Sequence, residues 1–142
     1  MKDEIKLEDQ LCFSVYAASR ELIKRYGAYL KGTGLTYTQY ITLVPIWESG
    51  CVTVKELCKR LHLDSGTLTP VLKNLEANGY IKRTRCEKDG RLLTIEITEN
   101  GRKLQDEVKK LPDTLCPDAG LSQDETDKLR SLLHKLLNSL EE

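Results

Sequence analysis

The stretch TVKELCKRLHLDSGTLTPVLKNLEANGYIKRTRCEKDGRLLTIEI, residues 53–97, decides the fold. Thr53 followed by Glu56 is a capping box, opening a short helix whose apolar residues Val54, Leu57 and Leu61 recur at helical spacing. Leu63-Asp64-Ser65-Gly66 breaks that pattern. Asp64 or Ser65 then caps a second helix, in which Leu68, Val71, Leu72 and Leu75 form one apolar stripe and Asn78-Gly79 supplies the stop. Its exposed face is left to Thr67, Thr69, Lys73 and Asn74. Two strand-like runs follow, Tyr80 to Arg85 and Leu92 to Ile97, joined by Glu87-Lys88-Asp89-Gly90 with Asp and Gly in the turn. Helix, tight turn, helix and basic hairpin is the order of a winged helix-turn-helix, and that order points to double-stranded DNA.

A helix that enters the major groove needs small hydrogen-bonding residues near its start, where the backbone approaches base edges and the N-terminal dipole favours phosphate. Ser65, Thr67 and Thr69 suit that place, although simple capping explains part of their presence. Pro70 lies near enough to the helix start to be tolerated with a small distortion. The overall charge is zero, but between Thr53 and Ile97 nine Lys/Arg stand against six Asp/Glu. The basic surplus sits where DNA would lie.

The remainder of the 142 residues frames that module. Residues from about Leu7 to Lys31 read as a long helix with Leu11, Val15, Ala18, Leu22 and Tyr26 on one side, ended by Gly32-Thr33-Gly34. Thr36 and Gln39 form a second capping box, starting a helix through Tyr40, Leu43, Ile46 and Trp47 to a stop at Ser49-Gly50, with a kink expected at Pro45. Thr98 caps a helix from Glu99 to about Leu111, and Pro112 and the loop Asp113 to Gly120 interrupt it. Ser122 with Glu125 is a third capping box, before a last helix dense in leucine from Leu129 to Leu140. By length the chain is expected to be one domain, mainly α with a small β-wing: a winged helix-turn-helix over about 36–97, and helical dimerisation regions over about 7–34 and 99–142. The terminal helices are too apolar to stand alone, so a symmetric homodimer on a pseudo-palindromic duplex is expected, its two reading helices about 34 Å apart.

A composition of 39% hydrophobic and 31% charged residues is ordinary for a helical protein, and no apolar stretch is long enough to span a membrane. Met1-Lys2-Asp3-Glu4 begins no signal peptide, so a cytosolic protein is expected, whose five cysteines stay thiols except in transient redox events. Cys58 and His62 are four apart on a helix, but no further Cys/His cluster completes a metal set; neither metal nor cofactor is expected.

The order of elements, with the wing text Lys82-Arg83 through Asp89-Gly90-Arg91 and then Ile97-Thr98-Glu99-Asn100-Gly101-Arg102, resembles the MarR family of bacterial regulators over nearly the whole chain. Within it, Leu11-Cys12-Phe13 and Gly34-Leu35-Thr36-Tyr37-Thr38-Gln39-Tyr40, ending in Trp47-Glu48, are similar to the OhrR branch, repressors that sense organic hydroperoxides. The wing tip departs slightly: the family commonly has an acidic residue between the Asp and the Arg, where this chain has Gly90. The resemblance implies that Arg91 enters the minor groove with Asp89 holding it; without it Arg91 would be a solvated hairpin charge. Lys73, on the exposed face of the second helix, is expected to meet phosphate.

A cysteine on an apolar helix face is ordinarily a small buried hydrophobe. Cys12, however, falls in the first turn or two of its helix, capped near Glu8 or Asp9, where unpaired N–H groups favour the thiolate that attacks a peroxide. The OhrR branch places its reactive cysteine here and its supporting tyrosines at Tyr26 and Tyr37, whose hydroxyls would donate to the sulfur; the plainer reading of both rings is core packing. Cys12 and Tyr26 are fourteen residues apart on one helix, roughly 21 Å at about 1.5 Å per residue, so contact requires the other subunit. Cys116 lies in a loop bounded by Pro112 and Gly120. The resemblance implies a resolving thiol there, bridging to the partner's reactive cysteine, against an idle loop cysteine. Cys51, Cys58 and Cys86 match no sensor position and are expected to be structural. Three other functions compete with the peroxide-released repressor: a regulator released by a phenolic or other aromatic acid, a thiol peroxidase using Cys12 and Cys116, and a winged-helix scaffold that binds only protein. No Gly-rich cofactor loop or catalytic triad supports an enzyme.

Overall fold

The computed structural model of the chain describes residues 4–85, 92–110 and 120–141. Asp89 and Arg91 of the expected wing tip, Cys86, and Cys116 with most of its loop lie outside the described residues. The chain divides into two compact units, 1–111 and 112–142.

The first unit opens with a 3-10 turn, Leu7–Asp9, and then helix α1, Leu11–Leu30. The two do not merge into one helix from Leu7, because Gln10 between them is extended at φ −90°, ψ 107°. Gln10, with no side-chain hydrogen bond, caps α1 in place of the expected Glu8 or Asp9, because those two residues lie in the 3-10 turn before it. A 3-10 turn, Lys31–Thr33, and Gly34 at φ 74° end the segment; only Gly readily takes that left-handed backbone. Helix α2, Tyr37–Ser49, starts on the expected capping box: Thr36 Oγ1 accepts from the Gln39 N–H at 3.2 Å, and Gln39 Oε1 accepts from the Thr36 N–H at 2.9 Å. It runs on through Pro45 to Gly50.

Helix α3, Val54–Leu61, carries the second box between Thr53 and Glu56, and His62 closes it in the left-handed region at φ 55°. Helix α4, Ser65–Ala77, follows three residues later. Strands β2, Ile81–Arg85, and β3, Leu93–Ile97, pair antiparallel with Arg83 opposite Ile95, and each is one residue shorter than the sequence predicts. A third strand, β1, Cys51–Thr53, pairs with β3 through Val52 and Ile95, giving the order β1-β3-β2. Three residues after Gly50, the last of them itself the cap of α3, are too few to show a period of two. Helix α5, Glu99–Val108, is capped by Thr98 and stops short of Leu111.

Leu43, Ile46, Leu57, Leu68, Leu75 and Ile95 are fully buried, joined by Leu72, Val52, Ile81 and Leu104 in one core between the helices and the sheet. Each such side chain contributes about 1.5–3 kcal/mol by leaving water. Helix α1 differs: only Leu30 at its end is buried, while Leu11, Val15 and Tyr16 are exposed. In the second unit, helix α6, Gln123–Leu140, is capped by Ser122, whose Oγ accepts from the Glu125 N–H at 3.1 Å, and it exposes Leu132 and Leu140. Among the described residues no helix is long and apolar enough to cross a membrane.

Candidate nucleic-acid interface and thiol site

Asp64, not Ser65, caps α4. Its Oδ1 accepts from the Thr67 N–H at 2.6 Å. Hydrogen bonds from the Thr67 backbone and then its side chain hold the Asp64 carboxyl below the usual carboxylate range, so the cap stays charged. Ser65 and Thr67 are exposed. Thr69 is half-buried and its hydroxyl donates to the Ser65 carbonyl at 2.6 Å, so it is satisfied within the helix. Pro70 sits inside α4 without ending it. Lys73 and Asn74 are exposed one turn on, while Leu68, Leu72 and Leu75 anchor the opposite face in the core.

The root of the hairpin is tied to this helix by an ion pair. Arg83 donates from Nη2 to Glu76 Oε1 at 3.0 Å, from Nε to Oε2 at 3.2 Å, and from its backbone N–H to Oε2 at 3.1 Å. The side-chain bonds from Arg83 hold the Glu76 carboxyl below its ordinary range, and the same pairing raises Arg83. Sequence reading missed the pair because it joins a helix to a strand and carries no local spacing signal.

Behind the helix-turn-helix a second joint fixes α5. Trp47 Nε1 donates to the Gly101 carbonyl at 3.0 Å, and Arg102 Nη1 donates to the Trp47 carbonyl at 2.8 Å. A Cβ at Gly101 would collide with the Tyr80 carbonyl oxygen and the Ile97 side chain. The close approach explains a glycine one turn inside a capped helix.

Cys12 is the second residue of α1, exposed, in the turn whose N–H groups lack intrahelical partners. The first intrahelical bond is Ser14 N–H to the Gln10 carbonyl at 3.2 Å. Tyr26 is on the same unbroken helix, and its ring meets Tyr37 with centroids 4.9 Å apart at 43°. Tyr40 completes the group at 5.9 Å from Tyr26 and 6.3 Å from Tyr37, and leads to Trp47 at 6.4 Å. Burial, with Tyr40 adding to it, pushes the Tyr37 hydroxyl above its ordinary range, so at neutral pH it is a protonated donor. The sequence pairs Tyr26 with Tyr37 and gives Tyr40 no role at the thiol site; its place three residues after Tyr37, on the same helix face, was the available signal. Cys51 is exposed at the start of β1, and Cys58 packs at the edge of the core.

Residues 24–108 match the family model described as transcriptional regulator SarA/Rot. The chain belongs to the SarA/Rot family of transcriptional regulators. This is a MarR-like winged-helix family, and membership sets aside the thiol-peroxidase reading, since its members are regulators and not enzymes. The family member is 43% identical to the organic hydroperoxide resistance transcriptional regulator of Bacillus subtilis, covering 97% of this chain and 94% of that one. AbfR of Staphylococcus epidermidis, solved reduced and bound to DNA, is 39% identical with a TM-score of 0.78, covering 96% and 95% of the two chains. AbfR with its disulfide formed is 38% identical with a TM-score of 0.64, covering 96% and 93%. These likenesses put the family member in the OhrR-like branch.

Proposed function

We propose that the protein is a homodimeric repressor of the bacterial cytosol that holds a pseudo-palindromic operator while Cys12 is a thiol and releases it when an organic hydroperoxide oxidises Cys12. In this reading Ser65, Thr67 and Thr69 line the start of the reading helix, and Lys73 meets phosphate. Asp89 and Arg91 serve the minor groove. The observation that carries the proposal is the unbroken run of α1 between Cys12 and Tyr26. It separates the thiol from the Tyr26–Tyr37 pair by about 21 Å within one protomer, so the hydroxyls that would polarise a thiolate must come from a second copy. Sensor and dimer interface are then the same place.

The chemistry needs no cofactor. The Cys12 thiolate attacks one peroxide oxygen, the O–O bond breaks, the alcohol leaves with a proton, and the sulfur is left as a sulfenic acid. A thiol from Cys116 of the partner subunit then attacks that sulfur, releasing water and forming the S–S bond. Reshaping the interface respaces the two reading helices and lowers affinity. Cys12→Ser tests this: the variant should bind DNA as well as the wild type and stay bound after cumene hydroperoxide. Release by the oxidised variant would assign the trigger to another group.

A further inference from the structure

A directional link joins α2, which carries Tyr37 of the aromatic group, to the exposed face of α4. Gln39 is the third residue of α2, and its side chain does two jobs. Its Oε1 accepts from the Thr36 N–H at 2.9 Å, closing the capping box, and its Nε2 donates to Asn74 Oδ1 at 2.9 Å. Asn74 Oδ1 also accepts from Asn78 Nδ2 at 2.9 Å, so two donors fix the Asn74 amide on the helix next to Lys73. Tyr37, whose ring leans on Tyr26, is the first residue of α2 and lies within that capping box.

Helices α2 and α4 also share the apolar core, but apolar packing is non-directional, whereas a hydrogen bond fixes one relative position. We infer that the Gln39–Asn74 hydrogen bond is a strut that passes displacement of Tyr37 to the DNA-reading helix, making Gln39 and Asn74 positioning residues of the sensor. The inference rests on the peroxide-sensor reading above. A tyrosine drawn toward or away from an oxidised sulfur shifts the Thr36–Gln39 turn, and the strut carries that shift to α4 across 35 residues of sequence.

The readout is the ratio of DNA affinities of reduced and cumene-hydroperoxide-treated full-length protein, on a duplex selected from random sequence by the reduced wild type. Gln39→Met keeps the Thr36 hydroxyl cap and loses the amide donor; Asn74→Ala loses the acceptor. Each should lower the ratio about three- to tenfold, the range one neutral hydrogen bond carries, and the double variant should lower it no further. Asn74→Asp keeps an acceptor and should restore the ratio even where its added charge weakens both affinities. A bond that merely stabilised the fold would weaken both states alike and leave the ratio unmoved. Wild-type ratios in Gln39→Met and Asn74→Ala would overturn the strut alone. A wild-type ratio of one would overturn the sensor reading, and the strut with it.

Discussion

Gly101 shows how a single atom sets the architecture. The carbonyl of Tyr80 and the side chain of Ile97 occupy the space a Cβ would need, and the Gly101 carbonyl holds the Trp47 indole. Gly101→Ala should therefore destabilise the fold by about 1–3 kcal/mol through overpacking, despite alanine's better helix propensity, and urea unfolding would measure it. A variant as stable as the wild type would mean that α5 can back away at no cost. At this scale the sequence was informative where a residue acts on its near neighbours. Thr36, Thr53 and Thr98 announce their caps because capping spacing is local. It was silent on Gln10, an extended cap residue whose side chain makes no capping bond, and on the Glu76–Arg83 pair, which only the tertiary fold creates.

Among the elements, α4 is tied to strand β2 by the Glu76–Arg83 ion pair. The folded-state carboxyl of Glu76 lies below its ordinary value of 4.5. Its contribution is thus complete above that value and is lost as pH falls through the lower, folded value. Glu76→Gln should lower the melting temperature at pH 7, and the deficit should shrink as pH falls through the folded value of Glu76; a deficit that does not change with pH would show that charge is not what joins helix to strand. On the DNA side, Lys73→Ala should weaken binding to every sequence and flatten the salt slope by about one, whereas Arg91→Ala should cost specific binding most. Unchanged binding in both would remove the docking scheme. The recognition helix was legible down to its stop, since a stripe at Leu68, Leu72 and Leu75 repeats with the helical period. Strand β1 was not, for want of length.

On the scale of the whole molecule, the account turns on a second copy of the chain. Leu11, Val15 and Tyr16 in α1, and Leu132 and Leu140 in α6, are exposed apolar side chains of a kind that association buries. The proposal of a partner rests on fourteen residues of helical rise, which the sequence already offers; the aromatic group of Tyr26, Tyr37 and Tyr40 was only half legible, because ring contacts between α1 and α2 depend on how the chain returns at Gly34. Peroxide-treated protein should run as a dithiothreitol-sensitive covalent dimer on a non-reducing gel. Cys12→Ser and Cys116→Ser should each abolish it, and changes at Cys51, Cys58 or Cys86 should not; a dimer that persists without Cys116 would assign the resolving thiol elsewhere. The most direct measurement takes intact mass and DNA affinity from the same sample, before and after one equivalent of cumene hydroperoxide. The account predicts salt-dependent binding by the reduced protein, then loss of affinity in step with either one added oxygen at Cys12 or the covalent dimer. Full oxidation of Cys12 with undiminished DNA binding would contradict it.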